Sequence, residues 1–298
     1  MTVSADPSSS TEAKPAFILT LSCEDRVGIV AAVSSHLAAI GGFILDSQQY
    51  ADLDAGRFFL RIEFRAEGAA FPRSVDDLRT GFAPIAQDYA MDWDLLPADH
   101  RPRLLIAVSR GSHCLNDLLH RWQTGNLPVE IVGVVSNHEG LRDLTEWHGV
   151  PYHYLSVDPD RRDEQEARML RVFEESRADT LVLARYFHLL SSHLAERLAG
   201  RCINIHHSFL PSFKGARPYG KAHERGVKLI GATAHFVTGD LDEGPIIEQD
   251  IERVDHRATE QDLVRIGRDI EARVLARAVR WAAERRVFLN GIRTVVFR

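Results

Sequence analysis

Short apolar runs separated by polar, helix-forming segments fill most of the chain, and their order changes near residue 97. Before that point, the pattern predicts elements in the order strand, helix, strand, strand, helix, strand. The strands are expected at residues 17–22, 44–50, 58–64 and 91–95, and the helices after Asp25 and at 75–88. This order is that of a ferredoxin-like α+β domain.

The first helix of this domain has recognisable ends and one apolar face. Asp25 is predicted to cap its N-terminus, and Gly41 and Gly42 are predicted to end it. Its buried face is predicted to comprise Val30, Val33, Leu37 and Ile40. In the run 58–64, alternation of apolar and polar residues predicts a strand with one buried and one exposed face.

After residue 102 strands and helices alternate. Pro97 and Pro102 bracket a polar stretch that can continue neither a helix nor a central strand. Strands are expected at 103–109, 129–135, 152–155, 181–184, 201–205 and 232–237, and helices at 116–122, 140–148, 158–175 and 262–289. Such alternation predicts an α/β domain with a doubly wound, mostly parallel sheet. We therefore expect a disordered Ser- and Pro-rich tail at 1–14, one domain at 15–96, a linker at 97–102 and a second domain at 103–298.

Composition and charge narrow the class of protein. The formal net charge of −6 argues against nucleic acid as a partner, because phosphate binding needs a basic surface. Cys23, Cys114 and Cys202 are too few and too scattered for a disulfide framework or a zinc site. No apolar run reaches the roughly 18 residues of a membrane helix, and the N-terminus lacks a signal-peptide core. We expect a cytoplasmic protein that uses no metal and has no membrane or nucleic-acid partner.

Polar side chains that can act on a carbonyl group follow one of the predicted strands. Asn204 and His206 are two residues apart, so an extended backbone points both side chains the same way. They lie at the exit of the strand at 201–205, where open α/β sheets place their sites. Asp242 lies in a turn-rich segment that continues with Gly244 and Pro245. One amide, one imidazole and one carboxylate can support attack on a carbonyl carbon without a metal.

These residues and their neighbours resemble the formyltetrahydrofolate-utilising family, which includes glycinamide ribonucleotide formyltransferases, methionyl-tRNA formyltransferases and formyltetrahydrofolate deformylases. The similar segments are Asn-Ile-His at 204–206, Ser-Phe-Leu-Pro-Ser-Phe-Lys-Gly at 208–215, Gly-Ala-Thr-Ala-His-Phe at 231–236 and Leu-Asp-Glu-Gly-Pro at 241–245. The resemblance runs from about residue 102 to 250, and it implies that Asn204, His206 and Asp242 surround the formyl group of the folate. His207 and His235 are candidates for supporting them, although His235 also fits a purely structural role in its strand.

The resemblance also implies where the folate binds. The family places its pterin slot at the turn after the fourth strand of this domain and at the loop before Asp242. The matching positions are Tyr186, Phe187, His188, Leu190, Val237, Thr238, Gly239, Asp240 and Leu241. Many relatives carry Met-Arg-Ile/Val-Leu where this chain has Phe-His-Leu-Leu at 187–190, so backbone groups are expected to hold the pterin. The alternative is that Tyr186 and Phe187 are plain core aromatics.

The N-terminal domain resembles ACT regulatory domains at the turn Cys-Glu-Asp-Arg-Val-Gly-Ile, residues 23–29. The resemblance implies a small effector, often an amino acid, near Asp25, Arg26, Val27 and Gly28. ACT-like modules commonly pair edge to edge, so a homo-oligomer, a dimer or tetramer, is expected. Alternatively, Asp25 only caps the helix and Gly28 only permits close packing.

The loop at 108–115 indicates which molecule accepts the formyl group. A transferase that formylates a nucleotide amine needs a glycine-rich anion cradle near a helix N-terminus. This loop is one residue shorter than the Gly-Asn-Gly-Ser pattern of the ribonucleotide enzymes and retains only Gly111. The deformylases of the family instead carry an ACT-like domain, Asn-Ile-His-His-Ser as at 204–208, and Gly-Ala-Arg-Pro-Tyr as at 215–219.

The resemblance therefore predicts a hydrolase. The expected reaction converts 10-formyltetrahydrofolate and water into formate and tetrahydrofolate, with no cofactor beyond the folate substrate. Such an activity is expected to supply formate for purine synthesis and to balance one-carbon folate pools. A glycinamide ribonucleotide formyltransferase and a non-catalytic folate or amino-acid sensor are the alternatives.

Overall fold

A computed structural model of the chain describes residues 14–68, 70–157, 161–210 and 218–298. It divides the chain into two compact units, Met1–His100 and Arg101–Arg298. Three predicted features lie wholly or partly outside the described residues: the tail at 1–14, the start of the helix at 158–175, and most of the residues at 211–219.

The N-terminal unit contains a four-stranded antiparallel sheet and two helices. Its elements are β1 (Ala16–Glu24), α1 (Ile29–Ala39), β2 (Gly42–Asp52), β3 (Arg57–Ala66), α2 (Val75–Asp88) and β4 (Asp92–Pro97). The strand order is β2-β3-β1-β4, and β1 runs antiparallel to both of its neighbours. This confirms the predicted ferredoxin-like order. Leu19, Val33, Leu60 and Phe82 are among the fully buried residues of its core.

Details of α1 and β3 differ from prediction. The N-cap of α1 is Gly28, with φ of 100°, so the prediction that Asp25 caps this helix is wrong. Ile29, the first residue of the helix, is buried, whereas Val30, which was predicted to be buried, is 43% exposed. In β3 every residue from 58 to 62 is buried, so both faces of this strand are shielded and the predicted alternation of burial is wrong. The buried Arg61 lies 3.3 Å from carboxylate oxygens of both Asp46 and Glu63.

The C-terminal unit alternates strands and helices and ends in a hairpin. Its elements are β5 (Arg103–Val108), α3 (His113–Gln123), β6 (Glu130–Ser136), α4 (Arg142–Trp147), β7 (Tyr152–Tyr154), α5 (Arg162–Glu175), β8 (Thr180–Leu183), α6 (Ser192–Arg197), β9 (Cys202–His206), α7 (Pro218–Arg225), β10 (Leu229–Phe236), β11 (Ile246–Arg253), α8 (Glu260–Ala283), β12 (Val287–Asn290) and β13 (Arg293–Val296). Within the described residues, seven strands form one sheet in the order β11-β10-β9-β8-β5-β6-β7.

Most of this sheet is parallel, as predicted. Strands β9, β8, β5, β6 and β7 run parallel, whereas β10 is antiparallel to both β9 and β11. The carboxyl ends of β5, β8 and β9 therefore lie at one edge of the sheet, where an open α/β fold places its site.

The last helix is shorter than predicted. Helix α8 begins with a capping box between Thr259 and Asp262 and ends at Ala283, not at Leu289. Arg285 has φ of 57°, a left-handed conformation that ends the helix, and Leu289 lies in β12. The predicted apolar face of this helix is confirmed at four positions, since Leu263, Ile270, Val274 and Ala278 are buried.

None of the described helices combines the length and the apolar composition that crossing a membrane requires. Cys23, Cys114 and Cys202 are free and buried.

Candidate active site

The carboxyl end of β9 brings four polar side chains together. Asn204 faces His235 across the β9–β10 pair, and Asn204 Nδ2 lies 3.2 Å from His235 Nε2. Asp242 Oδ2 lies 3.2 Å from His206 Nδ1, and Asp242 Oδ1 lies 3.7 Å from His235 Nε2. The three residues expected to surround the formyl group thus lie in one cluster, and His235 contacts two of them.

The two ring nitrogens of His235 have different partners. His235 Nδ1 lies 2.9 Å from the carbonyl oxygen of Phe236. Because a carbonyl oxygen only accepts, this nitrogen carries a proton. The other ring nitrogen, Nε2, lies 3.2 Å from Asn204 Nδ2 and 3.7 Å from Asp242 Oδ1. His235 therefore contacts both the amide of Asn204 and the carboxylate of Asp242.

The loop that carries Asp242 folds tightly against the end of β10. Asp242 has φ of 57°, in the left-handed region where Asp and Asn are enriched among non-glycine residues. The backbone N–H of Phe236 donates to the carbonyl of Pro245 at 2.9 Å. A Cβ at Gly244 would lie 1.7 Å from the carbonyl oxygen of Phe236, so only glycine fits there. The Gly-Pro pair noted in the sequence thus holds Asp242 beside His206.

Asp242 is held in its ionised form. Burial alone would raise the pKa of its carboxyl group, but the neighbouring imidazoles of His206 and His235 hold that pKa well below its usual range. Asp242 is therefore a carboxylate near neutral pH, able to accept a proton from a nearby water.

His206 presents one ring nitrogen to Asp242 and keeps the other for a further partner. The ring is buried, and no described residue forms a hydrogen bond with its Nε2 atom. On one side it stacks on His207, with ring centroids 4.6 Å apart and an angle of 23° between the planes. Burial lowers the pKa of His207 to about 4, and Arg185 and His206 act in the same direction. His207 is therefore neutral near pH 7 and supports the ring of His206.

A cavity of about 820 Å³ opens onto this cluster. This volume is in the range of pockets that bind small organic ligands. Its lining includes every residue expected to bind folate: Tyr186, Phe187, His188, Leu190, Val237, Thr238, Gly239, Asp240 and Leu241. Arg185 and Leu189, within the predicted turn at 185–190, line it as well, and sequence reasoning missed Arg162, Leu183, Ser191, Ser192 and Ile205.

Exposed apolar side chains line part of this cavity. Phe187, Leu189 and Leu241 are 59%, 57% and 51% exposed. Apolar side chains that gather in a concave site are typical of ligand contact. Tyr186 is different: it is buried, accepts a hydrogen bond from Gln165 at 2.8 Å, and burial raises its pKa to about 12. The alternative of a core aromatic therefore fits Tyr186 but not Phe187.

Helix α5 anchors the loop after β8, which forms one wall of the cavity. The buried Glu166 accepts hydrogen bonds from the backbone and the hydroxyl of Ser191, the first at 2.8 Å. Arg162 pairs with Glu166 at 3.2 Å and donates to the carbonyl of Leu189 at 2.7 Å. These contacts hold the loop against helix α5.

The same loop is tied to the ends of β5 and β6. Ser109 accepts a hydrogen bond from the backbone of Phe187 at 3.2 Å and donates to Asn137 at 2.8 Å. Asn137 Nδ2 in turn lies 2.9 Å from His188 Nε2. Burial lowers the pKa of His188, and His138 and Arg162 act in the same direction. His188 is thus a neutral, polar residue of the cavity lining near pH 7.

One group among the described residues has a metal-ligand arrangement, although no metal site was expected. Atoms of His113, Cys114 and Glu271 lie within 4.8 Å of one another. However, His113 Nε2 already contacts Glu271 at 2.7 Å, and Arg185 Nε lies 3.2 Å from the same carboxylate. Burial also raises the pKa of the Cys114 thiol well above its usual range. A cation beside the carboxylate and a protonated thiol make this group a poor fit for a metal ion.

Comparison with known proteins decides the family. The formyl transferase family matches residues 102–279. The formyltetrahydrofolate deformylase of Corynebacterium sp. (strain P-1) is 50% identical over 281 residues, which cover 94% of this chain and 98% of that protein. The crystal structure of the formyltetrahydrofolate deformylase from Burkholderia mallei ATCC 23344 matches this chain with a TM-score of 0.91 and 51% sequence identity. The match covers 95% of this chain and 100% of that chain. This chain belongs to the formyltetrahydrofolate deformylases.

Transformylases of the same fold are more distant. The structure of glycinamide ribonucleotide transformylase 1 from Symbiobacterium toebii is 30% identical in sequence to this chain, with a TM-score of 0.63. The match covers 98% of that chain but 69% of this one. A deformylase matches nearly the whole of this chain, whereas this transformylase leaves a large part unmatched. The comparisons confirm the deformylase resemblance inferred from the sequence.

Proposed function

We propose that this protein hydrolyses 10-formyltetrahydrofolate to formate and tetrahydrofolate, with Asn204, His206 and Asp242 acting on the formyl group. The observation that carries the proposal is the single cavity that holds both the carboxylate–imidazole pair and a slot lined by exposed apolar side chains. The deformylases to which the chain is similar are named for this reaction.

The folate is expected to enter between the loop at 185–192 and the loop at 237–241. Its pterin ring would cover the apolar side chains of Phe187, Leu189 and Leu241. Removing their surface from water contributes roughly 25 cal/mol per Å². With the ring in this slot, the formyl group on N10 lies toward the cluster at the end of β9.

Two donors act on the formyl oxygen in this arrangement. His206 donates through Nε2 while its Nδ1 donates to Asp242. Asn204 donates through its amide, which lies beside His235. Attack on the carbonyl builds negative charge on that oxygen, and a fixed donor at that point contributes about 3 kcal/mol to transition-state stabilisation.

Asp242 activates the water. Its Oδ2 atom faces His206, so Oδ1 is the oxygen that can accept the proton as water adds to the formyl carbon. The tetrahedral intermediate then breaks its bond to N10, which takes up a proton, and formate leaves. The intact set of Asn204, His206 and Asp242 in a single cluster favours this enzyme over a non-catalytic sensor.

The decisive experiment measures formate release from 10-formyltetrahydrofolate with no amine present. We expect one formate and one tetrahydrofolate per turnover, at a rate that glycinamide ribonucleotide does not change. A strict requirement for glycinamide ribonucleotide would overturn the proposal in favour of a transferase.

A regulatory role for the N-terminal unit is part of this proposal. The turn at 25–28 precedes α1 and includes Gly28, at which a Cβ would lie 2.9 Å from the Tyr89 hydroxyl. Arg26 lies over the ring of Tyr89, 4.1 Å from its centroid, and donates to the carbonyl of Asp88. A turn beside the start of a helix, with Val27 fully exposed, suits a small amino-acid effector.

Self-association through the N-terminal unit is also part of this proposal. Strand β2 is an edge of its sheet, and Phe43, Ile44 and Leu45 on it are exposed. Exposed apolar edges favour pairing with another strand. We expect a homo-oligomer, a dimer or tetramer, that works in the cytoplasm, where its three free thiols stay reduced. There its formate would feed purine synthesis and its turnover would balance folate pools.

A further inference from the structure

A buried carboxylate on α8 has no part in the proposed chemistry. Glu271 is 1% exposed, and it is surrounded by three polar side chains. His113 Nε2 and the Tyr219 hydroxyl form hydrogen bonds with it at 2.7 and 2.6 Å, and Arg185 Nε lies 3.2 Å away. We call these four residues, His113, Arg185, Tyr219 and Glu271, the Glu271 network.

The network is held in an ionised, close-packed form. Burial alone would raise the pKa of Glu271, but His113, Arg185 and Tyr219 together hold that pKa below its usual value. A buried carboxylate is stable only when it is paired in this way. Gly267, one helical turn before Glu271, makes room for the tyrosine, because a Cβ there would lie 2.1 Å from the Tyr219 hydroxyl.

The Glu271 network lies between two cavities. Arg185 lines the cavity that opens onto the catalytic cluster. Tyr219 lies near His207, which stacks on His206; the ring centroids of His207 and Tyr219 are 6.4 Å apart. His113, at the other end, lines a second cavity of about 950 Å³ along the first turns of α8, together with Arg265 and Arg268. Glu271 contacts both Arg185 and His113 and so connects a residue that lines the first cavity with one that lines the second.

This position matters for the choice of formyl acceptor. A folate bound between the two cavity loops approaches the catalytic cluster from one side. A second substrate must then reach the formyl carbon from another side, and Tyr219, which is hydrogen-bonded to Glu271, lies next to His207. Water is small enough to share the folate cavity, but an amine acceptor needs its own entrance.

We propose that the Glu271 network is the element that determines acceptor specificity, by closing the passage between the second cavity and the formyl group. The inference rests on the proposed hydrolysis and explains why water is the acceptor. With water, the formyl C–N10 bond breaks and formate leaves. If an amine could enter, its nitrogen would bond to the formyl carbon, N10 would again leave with a proton, and an N-formyl amine would form in place of formate.

The test opens the passage and asks whether an amine competes with water. Glu271→Ala removes the centre of the network, and His113→Ala removes its outer, partly exposed end. Each purified variant is given 10-formyltetrahydrofolate with excess glycinamide, and N-formylglycinamide and formate are both quantified by mass spectrometry. We expect the wild-type chain to yield formate with only a trace of N-formylglycinamide. We expect the ratio of formylated amine to formate to rise by about tenfold or more in the variants, the range of discrimination that a small change of pocket volume provides.

Two matched variants separate closure from other effects. Glu271→Gln fills the same volume without the charge, so it should keep the wild-type product ratio. Glu248→Ala removes another buried carboxylate, which lies 3.9 Å from Arg277 and is not part of the Glu271 network, and it should also behave like the wild type. A shift in the product ratio for these two variants would point to general loosening and would overturn the proposal.

The outcomes for the proposal and for the underlying function are distinct. If the wild-type chain releases no formate without an amine, the proposed hydrolysis itself fails. If the wild-type chain hydrolyses but folded Glu271→Ala and His113→Ala variants keep the wild-type product ratio, the role of the Glu271 network is refuted. Should Glu271→Ala not fold, His113→Ala decides alone, because its side chain is partly exposed and its loss leaves Arg185 and Tyr219 paired with Glu271.

Discussion

Replacing Asp242 by asparagine is the sharpest test of the catalytic cluster. The asparagine side chain has the same shape, and its oxygen can still accept the hydrogen bond from His206 Nδ1. It also suits the backbone, since asparagine readily adopts the φ of 57° found at this position. Alanine is a poorer probe, because a left-handed conformation costs such a residue roughly 1–2 kcal/mol. Asp242→Asn thus removes the negative charge and the base while the loop keeps its place.

The expected effect is large on rate and small on binding. Loss of a general base alone lowers a rate by about 10²–10⁴-fold. The variant also loses the negative charge that faces the imidazole of His206 3.2 Å away, so we expect kcat to fall at least about a thousandfold, or ~4 kcal/mol. The apolar slot at Phe187, Leu189 and Leu241 is untouched, so tetrahydrofolate affinity should stay within about threefold.

The assay measures formate release for kcat and calorimetric titration with tetrahydrofolate for affinity. The control is Glu243→Gln, which neutralises the adjacent carboxylate, an exposed residue outside the cavity lining. A kcat for Asp242→Asn within tenfold of the Glu243→Gln value would refute the role of Asp242 as base. A parallel loss of folate affinity would show that Asp242 acts in binding instead.

Three further results are expected. His206→Ala should lower kcat about a hundredfold or more, because it removes a donor to the formyl oxygen, and a near-normal rate would exclude it from the mechanism. The pKa of His207 is lowered to about 4 in the folded chain, against about 6.5 in the unfolded chain. Between pH 7 and pH 5 the unfolded state therefore takes up a proton on His207 while the folded state does not. The free energy of unfolding should fall by up to about 2 kcal/mol over this range. In urea unfolding at the two pH values, His207→Gln should lose less stability than the wild type by that amount, and equal losses would contradict the burial argument. Calorimetry with methionine, glycine and other amino acids should show that the wild-type chain binds one of them and that Asp25→Ala weakens this binding. If the wild-type chain binds none, the N-terminal unit serves only for association between subunits.

Periodicity in the sequence predicted most elements, and the exceptions have identifiable causes. Helix α2 has the predicted bounds, because Ser74 caps it and accepts a hydrogen bond from the backbone of Asp77. Strand β11 was missed because its residues are largely polar, and its assignment depends on antiparallel pairing with β10. The end of α8 was missed because Arg285, not a glycine, adopts the left-handed conformation that ends the helix.

Part of the candidate site was also visible in the sequence. Asn204, His206 and Asp242 stand in motifs that resemble one family, and the folate-lining positions follow from the same motifs. Contacts between segments far apart in the chain were not visible. Glu166 and Glu271 lie on amphipathic helices, where a glutamate ordinarily faces water, and nothing local shows that each is buried among partners.

The origin of the oxygen in the product tests the central claim most directly. In water enriched in ¹⁸O, the formate released from 10-formyltetrahydrofolate is analysed by mass spectrometry after turnover by the wild-type chain. If water attacks the formyl carbon, each formate carries one oxygen atom from the labelled solvent. Formate without the label, or a formyl group recovered on an amine, would contradict the account.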